Sequence, residues 1–255
     1  MGECIACSRA VKGLPLAHRV VKAGAVVSST YRRALEAEGV DPDAPLHVSL
    51  AACRADRVIE RGDGPTLVYV HGRGGLPSTY ATRRAEWWSR GALGALGRIV
   101  LPGAPEHPTN RTAWLDYKDD AWTPTAASLR AARDRVAAVI RREAAAGREV
   151  WVAGYSEGCC VGLGAALAAN ARGFVGINGR APPLDADGDD GASFPIVVYH
   201  GAADETIPRD RALRDFAALG RSYAPIAVEG AAHGLADDEG RILDHGLRRL
   251  GLAAE

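Results

Sequence analysis

The sequence has no excess of either charge: Lys and Arg together number 31, and so do Asp and Glu. No overall field therefore draws the chain to nucleic acid or to a membrane surface. It has no uncharged apolar run long enough to cross a bilayer, so a membrane span is not expected. The start of the chain lacks the basic region, apolar stretch and small-residue cleavage site of a secretory signal. Cysteine is scarce, with Cys4, Cys7, Cys53, Cys159 and Cys160 the only five. An odd, unevenly spread set in a chain this long does not make a disulfide framework, and a reducing cytoplasm is the expected compartment. Cys4 and Cys7 have the spacing of a metal or redox pair, but no second pair completes a zinc site. No P-loop is present, and no G-x-G-x-x-G opens a helix after a strand, so nothing points to nucleotide phosphates. Neither an internal repeat nor a linker divides the chain.

What is present fits one large soluble domain. The 255 residues are 47% hydrophobic and 24% charged, which is enough to bury a sizeable core. Residues 1–45 carry the weakest pattern and read as an N-terminal extension, with a short helix over 28–38 and a Pro/Asp loop over 41–45. Gly2, Cys4 and Cys7 leave N-terminal lipidation as an alternative use of this segment, although Ala6 stands where the acylation pattern wants Ser or Thr. From 46 to 255 the pattern is that of one domain. Strands are predicted over 46–51, 57–60, 66–70, 98–101, 149–153, 173–177, 195–200 and 223–228. Helices are predicted over 78–90 (carrying Trp87 and Trp88), from a Thr123 cap to Gly147, and over 159–172, 208–219 and 237–250. Residues 102–117 form a long loop, and 184–193 an acidic one. Short apolar strands alternating with helices indicate an α/β fold: a mostly parallel central sheet with helices on both faces.

One stretch organises this chain. Gly154-Tyr155-Ser156-Glu157-Gly158 lies between a predicted strand and a predicted helix. A serine on such a turn takes a strained backbone, and side chains two residues away on either side would collide. The helix behind it aims its free N–H groups at the serine. A serine hydroxyl is a poor nucleophile until a base takes its proton, and the base is usually a histidine held by a carboxylate. The turn resembles the nucleophile elbow of an α/β-hydrolase, and that resemblance implies the order Ser, Asp or Glu, His, each on a loop beyond a strand's C-terminal end. Asp204 lies just past the strand at 195–200, with Glu205 its closest competitor and Asp187, Asp189, Asp190 and Asp210 less well placed. Of the seven histidines, only His233 follows the last strand and precedes the last helix; His71 and His200 sit at strand ends and shape their loops. A tetrahedral intermediate needs aimed N–H donors. The Glu157 backbone supplies one, and the loop His71-Gly72-Arg73-Gly74-Gly75 the other, from Arg73, where glycines allow a close approach.

These pieces match one family. Val70-His71-Gly72-Arg73-Gly74-Gly75, the Ser156 pentapeptide, His200-Gly201-Ala202-Ala203-Asp204 with Ile207-Pro208, and Ala232-His233 resemble, in order, the phospholipase/carboxylesterase family of α/β-hydrolases, which includes the acyl-protein thioesterases. Ala113-Trp114-Leu115-Asp116 resembles that family's loop beside the acyl site. The resemblance covers roughly residues 64–252. It implies an α/β-hydrolase fold and a serine hydrolase that cleaves carboxylic esters or thioesters, of small molecules or acyl-proteins, through an acyl-enzyme. It implies Ser156, Asp204 and His233 as the triad, Arg73 and Glu157 as the oxyanion hole, Trp114 and Leu115 at the acyl pocket, and no metal or organic cofactor. Two other readings are a non-catalytic ligand-binding protein on the same fold and a dienelactone-hydrolase-like enzyme, in which cysteine usually replaces the serine. The chain departs from the family at Glu157, where Gln is usual. A carboxylate there is expected to disfavour anionic substrates, and Asp185, Asp187, Asp189 and Asp190 would add to it.

Overall fold

In a computed structural model seven strands share one sheet, and each strand's sequence shows why. The structure describes residues 55–83, 85–105, 112–119, 122–183, 194–219, 225–234 and 238–252. The expected helix at 28–38, the strand at 46–51, Cys4, Cys7 and the acidic stretch 184–193 lie outside them. In chain order the elements are β1 (Arg57–Glu60), β2 (Thr66–Val70), α1 (Pro77–Arg83), a 3-10 turn (Trp87–Ser89), α2 (Gly91–Gly94), β3 (Arg98–Leu101), α3 (Ala126–Ala145), β4 (Val150–Tyr155), α4 (Glu157–Ala168), β5 (Phe174–Ile177), β6 (Ile196–Gly201), α5 (Arg209–Ala217), β7 (Ile226–Val228) and α6 (Glu239–Arg249). The strand order is β1-β3-β2-β4-β5-β6-β7. β1 runs antiparallel to β3 and the remaining pairs are parallel.

Side chains alternate across each strand, so every central strand feeds two cores. Val68, Val70, Val150, Val152, Phe174, Ile196 and Val198 face α3, α4 and α5. Leu67, Tyr69, Trp151, Ala153, Val175, Ile177 and Tyr199 face the 3-10 turn, α2 and α6. Burial on both faces explains why these strands read as continuous apolar runs. α4 is buried nearly throughout and built of Gly, Ala, Cys, Val and Leu. Its small residues let it lie against β2, β4 and β5, with Gly162 against Phe174 and Val70.

Two expectations fail locally. The single helix over 78–90 is instead α1, then a 3-10 turn, then α2. Trp87 and Trp88 leave the helical path to bury their rings against Tyr80 and Tyr69, with centroids 6.4 and 5.9 Å apart, and Gly91 at φ 50 turns the chain into α2. The cap of α3 is Thr125, which accepts from Ser128 N at 3.3 Å, rather than Thr123. Pro124 is still extended there, bridged to Tyr117. Gly147, at φ 77, lies just past the end of α3, near where the sequence pattern stops.

The register is what assembles a site. Val70 of β2 pairs with Gly154 of β4, Tyr155 with Ile177 of β5, Ile177 with Tyr199 of β6, and Gly201 with Val228 of β7. The loops that leave these strands therefore emerge side by side at the C-terminal edge. The strand order reverses between β2 and β4, since β3 lies on one side of β2 and β4 on the other. Such a switch point opens a crevice in an open α/β sheet.

Candidate active site

Ser156 stands in that crevice with φ 54 and ψ −119, the strained turn its sequence context predicts. The two motif glycines have the expected job. A Cβ on Gly154 would run into the Gly158 carbonyl, and one on Gly158 into the Val70 carbonyl. Nothing larger than hydrogen fits where strand, turn and helix cross.

The loops after β6 and β7 bring the other two residues to the serine. Ser156 Oγ lies 2.9 Å from His233 Nε2, and His233 Nδ1 lies 2.7 Å from Asp204 Oδ2. A carboxylate accepts only, so Nδ1 carries the proton and Nε2 faces the hydroxyl with its lone pair. Asp204 is itself held by its loop: Oδ1 accepts from Thr206 N and Ile207 N, both at 2.9 Å. Glu205, the rival on sequence, is exposed. His200 is fully buried beneath Asp204, and its Nε2–H donates to the Ile207 carbonyl at 2.7 Å. Burial pushes the His200 pKa down, against the pull of that carbonyl and of Asp204.

Two residues that sequence reasoning passed over hold the His233 loop. Asn178, buried and at φ 46, follows β5 directly. Its Nδ2 donates to the carbonyls of Ala232 (3.1 Å) and His233 (2.7 Å), and its Oδ1 accepts from Gly201 N (2.7 Å). Tyr155 OH donates to the His233 carbonyl at 2.7 Å. A polar residue ending an apolar strand, of the type that tolerates positive φ, was the available signal for Asn178.

The loop after β2 lies against the turn. A Cβ on Gly72 would sit 2.8 Å from the Tyr155 ring and 3.1 Å from Ser156 Cβ, so only glycine allows the approach. His71 is buried at the root of this loop, with Nδ1 2.8 Å from the Gly72 carbonyl; desolvation lowers its pKa to about 4.

Glu157 departs from expectation. Its side chain is 2% exposed and points away from solvent into a set of donors. Oε1 accepts from Arg73 Nη1 at 3.1 Å and Tyr117 OH at 2.9 Å; Oε2 accepts from Trp114 N at 2.7 Å. Burial raises its pKa, and the three donors oppose that rise. The charge is paired within the wall of the crevice, so it does not present the acidic mouth expected of it.

A cavity of about 290 Å³ opens over Ser156 and His233, walled by Leu115, Tyr117, Trp122, Pro124, Ala181 and Ile207, among others. Leu115 is one of its walls. Trp114 stands behind it: its ring packs on His71 at 5.2 Å, and Nε1 donates to the His71 carbonyl at 2.9 Å. Cys160 also lines the cavity, its thiol pushed up to about 12 by burial. No group of three His, Cys, Asp or Glu suited to a metal occurs among the described residues, and no described helix is long and apolar enough to cross a membrane.

The fold this site sits on is shared with known hydrolases. Acyl-protein thioesterase 2 of Zea mays superposes with a TM-score of 0.62 at 18% identity, over 76% of this chain and 98% of that one. A carboxylesterase of Bacillus cereus gives 0.60 at 11% identity, over 76% and 93%, and one of Mesorhizobium loti 0.60 at 16%, over 74% and 92%. No protein-family model matches the chain, and neither does any curated protein sequence. At these identities the likeness is one of fold: this is an α/β-hydrolase fold. The solved structures it resembles include the kinds of protein that the motifs resemble.

Proposed function

We propose that this protein is a serine hydrolase of the phospholipase/carboxylesterase type, cleaving carboxylic esters or thioesters through an acyl-enzyme. The observation that carries the reading is the hydrogen-bonded run Asp204–His233–Ser156, which faces a largely apolar cavity, lined also by Arg73, Arg180 and Arg211, at the sheet's switch point. Ser156 Oγ attacks the acyl carbonyl carbon while His233 Nε2 takes its proton. Asp204 holds the ring in the required tautomer and stabilises the imidazolium. The backbone N–H groups of Arg73 and Glu157 hold the oxyanion, backed by the positive end of α4. His233 returns the proton to the leaving oxygen or sulfur, and then activates the water that frees the acid. None of these steps draws on a metal or organic cofactor.

A cavity at the small end of the range for ligand sites supports compact acyl groups over long chains. The reading takes residues 46–255 as one catalytic domain with 1–45 as an extension, in a reducing compartment where the buried thiols of Cys159 and Cys160 stay free. The test is hydrolysis of p-nitrophenyl esters from acetyl to palmitoyl by the wild type and by Ser156→Ala. The expected profile peaks at short chains and falls to background in the variant with no loss of thermal stability. Turnover retained by folded Ser156→Ala rejects the mechanism.

A further inference from the structure

The residue after the nucleophile is normally credited only with its backbone N–H. Here its side chain is engaged too. The segment 112–117 and the loop 71–75 are sewn together by Gly74 N to the Thr112 carbonyl (2.6 Å), Thr112 Oγ1 to the Gly75 carbonyl, Trp114 Nε1 to the His71 carbonyl (2.9 Å) and Arg73 Nη1 to the Leu115 carbonyl (3.1 Å). The Glu157 carboxylate joins that sewn unit to the first turn of α4 through Arg73, Trp114 and Tyr117. Both proposed oxyanion donors, Arg73 N and Glu157 N, belong to residues at the two ends of this one ion pair.

We propose that Glu157 is a positioning residue: its buried carboxylate fixes the Arg73 loop against the nucleophile turn and so sets the geometry of the oxyanion hole. The proposal rests on the serine-hydrolase reading. All three partners are donors, and an ionised carboxylate is the one side chain of this length that only accepts. Gln at 157 keeps the length but must turn an NH2 toward a donor, either Trp114 N or the Arg73–Tyr117 pair, and it surrenders the charge that holds Arg73. The guanidinium also lies 5.4 Å from the Tyr117 ring and 6.0 Å from that of Trp122, so releasing it loosens one wall of the cavity as well. An oxyanion donor matters chiefly once the carbonyl carbon becomes tetrahedral, so a misplaced loop should cost rate more than substrate binding.

The experiment compares wild type, Glu157→Gln and Tyr117→Phe on one short p-nitrophenyl ester, and measures inhibition by the matching trifluoromethyl ketone. That ketone adds Ser156 Oγ to its carbonyl carbon, the serine proton passes to His233, and its oxygen occupies the oxyanion position. Glu157→Gln is expected to lower kcat by about 10- to 100-fold, short of the full loss of a donor, with KM within about twofold. The ketone should weaken by the same factor as kcat/KM. Tyr117→Phe removes one of three donors, so its losses should be smaller and in the same ratio; it decides the matter if Glu157→Gln does not fold. Unchanged kcat and ketone affinity in a folded variant, whatever its melting temperature, overturns the proposal. A wild type that hydrolyses no ester and takes no fluorophosphonate label overturns the hydrolase reading instead.

Discussion

Two buried carboxylates flank the nucleophile, and they are bound in opposite ways. Asp204 is fixed by its own loop, since Thr206 N and Ile207 N lie two and three residues along the chain; its remaining oxygen is left for His233. Glu157 is fixed from afar, by Trp114, Tyr117 and Arg73, which lie 43, 40 and 84 residues away. The first arrangement presents a carboxylate to an imidazole ring. The second spends a carboxylate on immobile donors. Burial raises the pKa of Glu157, which is the cost of that use. In the proposed mechanism one acid serves the proton transfer and the other the shape around it.

Substitution separates the two roles. Asp204→Asn keeps the volume but allows the wrong tautomer at His233, and should lower kcat by about 10⁴-fold with a small change in KM. A loss as mild as that expected for Glu157→Gln would erase the contrast drawn between the two acids. Asn178→Ala tests the loop that carries His233. It leaves the buried Gly201 N–H without its acceptor, at about 1–3 kcal/mol before relaxation, and removes one of the two donors to the His233 carbonyl, which keeps Tyr155 OH. A fall of about tenfold in kcat and several degrees in melting temperature is expected, measured by steady-state kinetics and calorimetry. A stability loss with unimpaired kcat would show that the loop needs no such tie.

The last effect lies at the root of the Arg73 loop and is one of stability alone. His71 is held neutral, with a pKa near 4 against 6.5 for an ordinary histidine. Its folded pKa lies below the unfolded one, so between these values the unfolded chain binds a proton that the folded chain refuses. This contribution is therefore intact above about pH 6.5 and is lost as pH falls toward about 4, by up to about 3 kcal/mol. His71→Asn should flatten that limb of a melting temperature against pH profile. Identical slopes in the two proteins would remove His71 as its source.

The difference between the two acids also marks what the sequence could convey. Asp204 and His233 are legible because each follows a strand whose apolar run shows where it ends: β6 stops at Gly201 and β7 at Val228, within a residue of the ends their sequences indicate. Ser156 is legible because the glycines around it answer a local steric demand. The side chain of Glu157 is not, because its partners Arg73, Trp114 and Tyr117 arrive through tertiary packing. Asn178 escaped for the same reason, its three hydrogen bonds spanning 23 to 55 residues. The break at Trp87 was hidden by helical spacing that burial of two indoles overrides.

If Ser156 is an activated nucleophile, the folded protein reacts covalently with a fluorophosphonate probe. One covalent label per chain is expected, placed on Ser156 by peptide mass spectrometry, lost in Ser156→Ala and greatly slowed in Asp204→Asn. A folded wild-type protein that takes no label, or takes it on another residue, would contradict it.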